Sequence, residues 1–326
     1  MSDHAVQQGL RGERIRADLI LLAVAAIWGS AFVAQRAGNE QVGPFTFNAV
    51  RFLVGGLVLL PMLVWQQVRG KRALNSAAPQ ESGPWRGGAL LGLILFSGAS
   101  FQQLGLVTTT AGKGGFITGL YVVIVPLLLA LFWRTRIRWS NWVGALLAVA
   151  GLFLLSIGIG EDLELNPGDG WVLLGSFMWA FHVIVMGRAA PGHDPVRLAL
   201  AQYVVCAVLC AASAVVLEWG MWDGILKAAP AILYAGVLST GLAYTGQIVG
   251  QRHAPPADAA IIMSMEAVFA ALSGWLLLGE TLAAWQVAGC GLMLGGMLLA
   301  QISSLAPARQ GRGERRRDSP EALDQA

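Results

Sequence analysis

Residues 18–36 read DLILLAVAAIWGSAFVAQR and residues 169–187 read DGWVLLGSFMWAFHVIVMG. Each is an apolar run opened by an aspartate with a tryptophan near its middle, and an offset of 151 lays Asp18 on Asp169 and Trp28 on Trp179. A helix of roughly 20 apolar residues crosses about 30 Å of hydrocarbon, so each run can span a bilayer and the second repeats the first. The same offset carries Pro44 onto Pro195 and Phe52 onto Tyr203. Farther along, an offset of 145 carries Gln102 onto Gln247, Gly105 onto Gly250, Gly144 onto Gly289 and Gly151 onto Gly296. The two offsets differ because the loop at 66–86 is longer than its counterpart at 218–228.

Runs of this kind recur at 18–36, 46–65, 87–107, 114–133, 140–159, 170–187, 197–217, 229–250, 256–278 and 283–303. Hydrophobic residues make up 56% of the 326 and charged residues 13%, against about a quarter charged in soluble proteins. The chain is therefore expected to be an all-α integral membrane protein of ten transmembrane helices, forming two inverted five-helix repeats. A tail at 1–17 precedes the first repeat (18–159), and the second (170–303) is followed by a basic tail at 304–326. Five crossings is an odd number, so the second repeat enters from the opposite side. Inverted repeats of this kind place a site between the halves near the midplane.

Charge sets the orientation. With both termini cytoplasmic, 18 of the 22 Lys and Arg residues fall on the inner side, against Arg36, Lys113 and Lys227 outside and Arg51 within a span. That is the bias of the positive-inside rule. The loop at 160–169 carries Glu161, Asp162, Glu164 and Asp169 without Lys or Arg, and belongs outside. The basic tail from Arg309 reads as a solvated cytoplasmic anchor rather than a nucleic-acid patch. Cys206, Cys210 and Cys290 lie within spans and read as packing residues.

Four motifs carry a family resemblance: Trp28-Gly29-Ser30-Ala31-Phe32; Gly43-Pro44 with Arg51-Phe52; Gly115-Phe116-Ile117-Thr118-Gly119-Leu120-Tyr121 with Pro126; and Glu266-Ala267-Val268-Phe269 with Gly279-Glu280. In this order, over residues 18–303, they resemble the EamA branch of the drug/metabolite transporter superfamily. The resemblance implies a multi-pass secondary carrier of the plasma (inner) membrane that moves a small metabolite, often as an exporter, with no cofactor. The chain departs from the family twice. Glu266-Ala267 stands where the family commonly has Glu-Pro, which removes the proline expected to kink the ninth span, and Gly279-Glu280 corresponds to Arg134-Thr135 in the first repeat.

Polar residues inside spans cost several kcal/mol unless they face a partner or a cavity. Glu266, midway along the ninth span with Met263, Ala270 and Ser273 on its face, is read as a proton-coupling or substrate-amine group, or as a structural acid. Arg51 reads as pairing with Glu266, holding a substrate carboxylate, or snorkelling. Thr240, Tyr244, Gln247 and Gln251 form one stripe at helical spacing, and Gly98, Gln102, Gly105 and Thr109 another. Thr118 and Tyr121 add to the wall; Trp28 and Trp179 are stacking or gating candidates. The substrate-binding set is thus Trp28, Arg51, Gln102, Tyr121, Trp179, Tyr244, Gln247 and Glu266. His182 reads as a packing histidine, Pro126 as a hinge, and Gly291 with Gly295 and Gly144 with Ala148 as close-packing or homodimer faces. The 110–114 stretch fails the phosphate-loop pattern, since Val107 replaces its first Gly and Gly114 its hydroxyl residue. An intramembrane enzyme finds no motif, and a channel or accessory subunit finds no charged ring.

Overall fold

The computed structural model describes residues 3–70, 84–156, 166–220, 222–278 and 282–305. Most of the 66–86 and 160–169 loops, Gly279-Glu280 and the tail beyond 305 lie outside these residues. The helices are α1 (Asp3–Asn39), α2 (Pro44–Gly70), α3 (Pro84–Gly105), α4 (Ala111–Gly119), α5 (Tyr121–Phe132), α6 (Trp139–Ser156), α7 (Pro167–Ala189), α8 (Pro195–Leu217), α9 (Ala229–Leu233), α10 (Thr245–Gln251), α11 (Pro256–Met263), α12 (Glu266–Leu278) and α13 (Ala284–Leu305). A π-helical segment, Tyr234–Tyr244, joins α9 to α10. Ten spans result, α4 with α5, α9 with α10 and α11 with α12 each making one.

The outer surface is that of a protein in lipid. Leu53, Leu57, Leu131, Leu146, Val208, Val216, Leu276 and Leu298 all face outward. Exposed indoles gather in two girdles, Trp65, Trp85, Trp133 and Trp139 toward the face carrying the termini, and Trp171, Trp219, Trp222, Trp275 and Trp285 toward the other. Amphipathic rings concentrate at both membrane–water boundaries.

Since lipid tails are as apolar as leucine, close backbone packing holds such helices together. One such packing is two-fold. A Cβ on Gly144 would lie 2.7 Å from the Gly296 carbonyl oxygen and one on Gly296 2.6 Å from that of Gly144; Gly151 and Gly289 meet reciprocally at 2.5 and 2.6 Å. Gly144 and Gly289 are repeat mates, as are Gly151 and Gly296, so α6 and α13 cross about the pseudo-two-fold axis. The other contacts obey the same exchange. Gly105 abuts Gly168 and Val172, and its mate Gly250 abuts Ala17 and Leu21, which are their mates. These reciprocal contacts make the two five-helix repeats inverted copies. Gly291 and Gly295 would instead meet nothing within 4 Å; the packing face of α13 is Gly289 and Gly296.

Two breaks depart from the expectation of continuous spans. The fourth span stops at Gly119 and restarts at Tyr121, five residues before the proline that sequence singles out as a hinge; Pro126 lies inside α5. Ser264 and Met265 interrupt the ninth span. Leu120 and Met265 are repeat mates, so the break belongs to the repeat and needs no proline at 267. Gly119 packs beside Leu152, and the Ser264 hydroxyl turns back to the Ile261 carbonyl at 2.8 Å, an alternative bond that competes with helix continuity.

Candidate functional site

Between the repeats lies one cavity lined by Trp28, Ala31, Phe32 and Gln35 of α1, Arg51 of α2, Gln102 of α3, Thr118 and Tyr121 flanking the first break, and Trp179, His182 and Val183 of α7. Ser239 and Tyr244 of the π segment, Gln247 of α10, and Met263 and Glu266 flanking the second break complete it. The structure brings all eight sequence-selected residues to its wall. The frame is pseudo-symmetric: Trp28 mates with Trp179, Phe32 with Val183, Gln102 with Gln247, Thr118 with Met263, and Tyr121 with Glu266. Both interruptions thus place a polar residue at the centre, while the backbone stays in the right-handed helical region at Leu120 and Ser264.

The charges break that symmetry. Arg51 mates with Gln202, which bonds the ring of His182 at 2.9 Å, and Glu266 mates with a tyrosine. Arg51 is 1% exposed, which excludes snorkelling, and it forms no ion pair with Glu266 or any other carboxylate among the described residues. Its guanidinium instead lies 4.8 Å from the ring centre of Phe52 and 5.8 Å from that of Phe47. Glu218 fixes its depth. Buried at the end of α8, that carboxylate accepts the backbone N–H groups of Phe45 at 2.8 Å and Thr46 at 2.7 Å, stabilising the positive end of α2. Arg51 follows seven residues after Pro44, roughly 10 Å along the axis.

Tyr244 occupies the middle of an aromatic cluster, 4.8 Å from Trp28, 6.1 Å from Trp179 and 6.2 Å from Phe52 between ring centres. The indole of Trp179 donates to the Gln102 amide oxygen at 2.8 Å, and that of Trp28 to the Ser239 carbonyl at 3.2 Å. The difference follows from the π segment. Its wider turn leaves backbone carbonyls available and places Ser239 and Tyr244, five apart, on the wall. Thr240 and Gln251, expected on one stripe with Tyr244, turn away instead: Thr240 packs against Gly55 and Gln251 donates to the Val183 carbonyl at 2.9 Å. The stripe presumed α-helical spacing, which this segment does not have. Gln35 and Ser239 were missed. Gln35 lies two turns beyond Trp28 on the same face and was findable; Ser239 was not.

Five buried polar atoms on this wall have no partner: Arg51 Nε, Thr118 Oγ1, Tyr121 OH, Gln247 Oε1 and Glu266 Oε1. Buried polar atoms without a partner are uncommon in native proteins and call for an explanation; these five share one cavity, while others, among them Asn48 Oδ1, Ser100 Oγ and Gln202 Nε2, lie off it. The remaining space is narrow, about 50 Å³, room for a few waters, so a metabolite enters only if the walls part. On the side of the cavity toward the termini, Ile248, Met263, Val122 and Val125 are buried. Beyond them Asp258 accepts from Arg14 at 2.7 Å and from Arg138 and Asn141 at 2.6 Å each. On the opposite face Lys113, the mate of Asp258, pairs with Asp169 at 2.8 Å, but α4 and α12 barely meet, whereas α5 and α11 pack together.

Two inverted five-helix repeats with broken helices around a polar midplane cavity define a secondary carrier of small molecules. The chain belongs to the EamA-like transporter family, whose pattern matches residues 15–157 and again 166–301. It is 30% identical over 297 residues to an uncharacterized transporter of Archaeoglobus fulgidus, covering 91% of this chain and 89% of that protein. It is also 30% identical to the uncharacterized inner membrane transporter YedA of Escherichia coli K12 (89% and 92% covered). The threonine/homoserine exporter RhtA of the same strain is 28% identical (90% and 92%).

Proposed function

We propose that this carrier exports a small metabolite such as an amino acid or derivative across the inner membrane, with both termini cytoplasmic and the central cavity exposed alternately to each side. The carrying observation is the convergence of five unpartnered buried polar atoms, drawn from both repeats, on one cavity. Trp28, Gln102, Tyr121, Trp179, Tyr244 and Gln247 form the substrate wall together with Arg51 and Glu266. Export is supported by the likeness to RhtA, and the inner membrane by the likeness to YedA. The orientation rests on the basic residues, among them Arg134, Arg136, Arg138, Arg188 and Arg252 on the face carrying the termini. The state described here is then closed to the cytoplasm and loosened toward the outside. Glu266 is the proton-coupling acid: a carboxyl without a hydrogen-bond partner at Oε1 can bind and release a proton as the cavity changes sides. The open face at Gly291 and Gly295 suits a second copy, as small residues let helices approach closely.

The test is counterflow in vesicles reconstituted with purified protein. Vesicles preloaded with unlabelled threonine or homoserine should transiently concentrate labelled threonine from outside, saturably. Uptake that rises linearly with concentration and ignores the preload would refute a carrier of this class.

A further inference from the structure

We infer that the cavity binds its substrate as a zwitterion, the carboxylate docked on Arg51 and the ammonium at Glu266. The inference rests on the carrier function proposed above and specifies what that site recognises. Arg51 and Glu266 are the two formally charged side chains on the wall. Both are nine-tenths or more buried, at 1% and 5% exposure, and each keeps an unpartnered polar atom. They do not pair with each other. An isolated buried charge costs several kcal/mol, and the sequence could have avoided that cost, since the repeat mates of these two residues are Gln202 and Tyr121. Arg51, Tyr244 and Glu266 line the same cavity, so one ligand in that space meets both charges.

A ligand must satisfy both ends. An amine alone leaves the Arg51 guanidinium uncompensated, and a carboxylic acid alone leaves Glu266 in the same condition. One molecule carrying both charges leaves neither. The chemistry at each pole fits. The planar guanidinium fork matches a carboxylate in two parallel hydrogen bonds, and the rings of Phe47 and Phe52 hold it without consuming its donors. At the other pole the Glu266 carboxylate and the Tyr121 hydroxyl, whose oxygen also lacks a partner, offer acceptors to an ammonium. Because the frame is symmetric and the charges are not, the substrate has one orientation relative to the two repeats throughout transport.

Two sets of matched compounds test this: L-threonine, 1-amino-2-propanol and 3-hydroxybutyrate; L-phenylalanine, phenethylamine and 3-phenylpropionate. Each set removes one charge at a time from the same skeleton. Binding to the purified protein is read as ligand-dependent thermal stabilisation, and competition is read in counterflow. In at least one set the amino acid should bind about 100-fold more tightly than either single-charge analogue, as expected when one partner of a buried charge pair is lost. Arg51→Gln should abolish discrimination against the amine while keeping that against the acid, and Glu266→Gln should do the reverse. Equal binding of an amine or an acid and its parent amino acid by the unmodified protein overturns the assignment without need of any variant. So does failure of all six compounds. Saturable counterflow of a non-zwitterionic solute in the same vesicles would leave the carrier function standing while removing the zwitterion.

Discussion

Replacing Gly151 by alanine tests the two-fold crossing at the centre of the fold. The added methyl would lie 2.5 Å from the Gly289 carbonyl oxygen and 2.6 Å from Met293 Cγ. Ordinary contact begins near 3.4 Å, so α6 and α13 must separate by nearly 1 Å at this point. The clashing oxygen belongs to a helix backbone and cannot rotate aside. Overpacking of this kind costs about 1–3 kcal/mol. Alanine at 296, the repeat mate, meets the Gly144 carbonyl at 2.6 Å and should also destabilise by about 1–3 kcal/mol. Gly291→Ala is the internal control. Nothing lies within 4 Å of its methyl, and alanine's helix propensity favours it by about 1 kcal/mol over glycine. Melting of the detergent-solubilised variants, followed by loss of the monodisperse peak, should rank Gly151→Ala and Gly296→Ala together and well below Gly291→Ala. Equal melting of all three would refute the reciprocal crossing.

Glu266→Gln, which keeps shape but can neither exchange a proton nor neutralise an ammonium, should lose accumulation driven by a pH gradient and also weaken equal-pH exchange of an amino acid; full gradient-driven transport by this variant would eliminate the coupling role. Ala267→Pro should be tolerated, since Ala267 lies in the first turn of α12, where proline fits, and its N–H makes a single long bond of 3.3 Å, to the Ser264 carbonyl at the break; a collapse in yield would mean that the ninth span is continuous. Asp258→Asn removes the shared partner of Arg14 and Arg138 and should lower stability by about 3 kcal/mol or more. It should also raise thiol-reagent access to the cavity from the face carrying the termini, and unchanged access would refute a sealing role.

The repeat was legible because its landmarks are residues that packing cannot exchange. Gly144, Gly151, Gly289 and Gly296 touch backbone to backbone, and Trp28 and Trp179 face one cavity, so each offset preserves them. The polar residues of the wall were legible for a related reason, since intramembrane polar groups are retained only where something faces them. The breaks at Leu120 and at Ser264-Met265 were not. Both occur in apolar sequence without a proline at the break, and hydropathy registers the length of a run rather than its continuity. The π segment was hidden in the same way, and with it the true neighbours of Tyr244. The environment of Arg51 was also beyond the sequence, because its partners Phe47 and Phe52 share its helix, while the absence of a carboxylate beside it among the described residues is a tertiary fact.

The central claim is that both repeats contribute to one water-accessible cavity that holds the substrate. Single cysteines at Gln102, Tyr121, Tyr244 and Gln247, in a background lacking Cys206, Cys210 and Cys290, measure it directly through their rate of reaction with a membrane-impermeant thiol reagent. All four should react, and the transported amino acid should slow all four together. Inertness at these positions alongside normal labelling of loop controls, or protection confined to one repeat, would contradict the account.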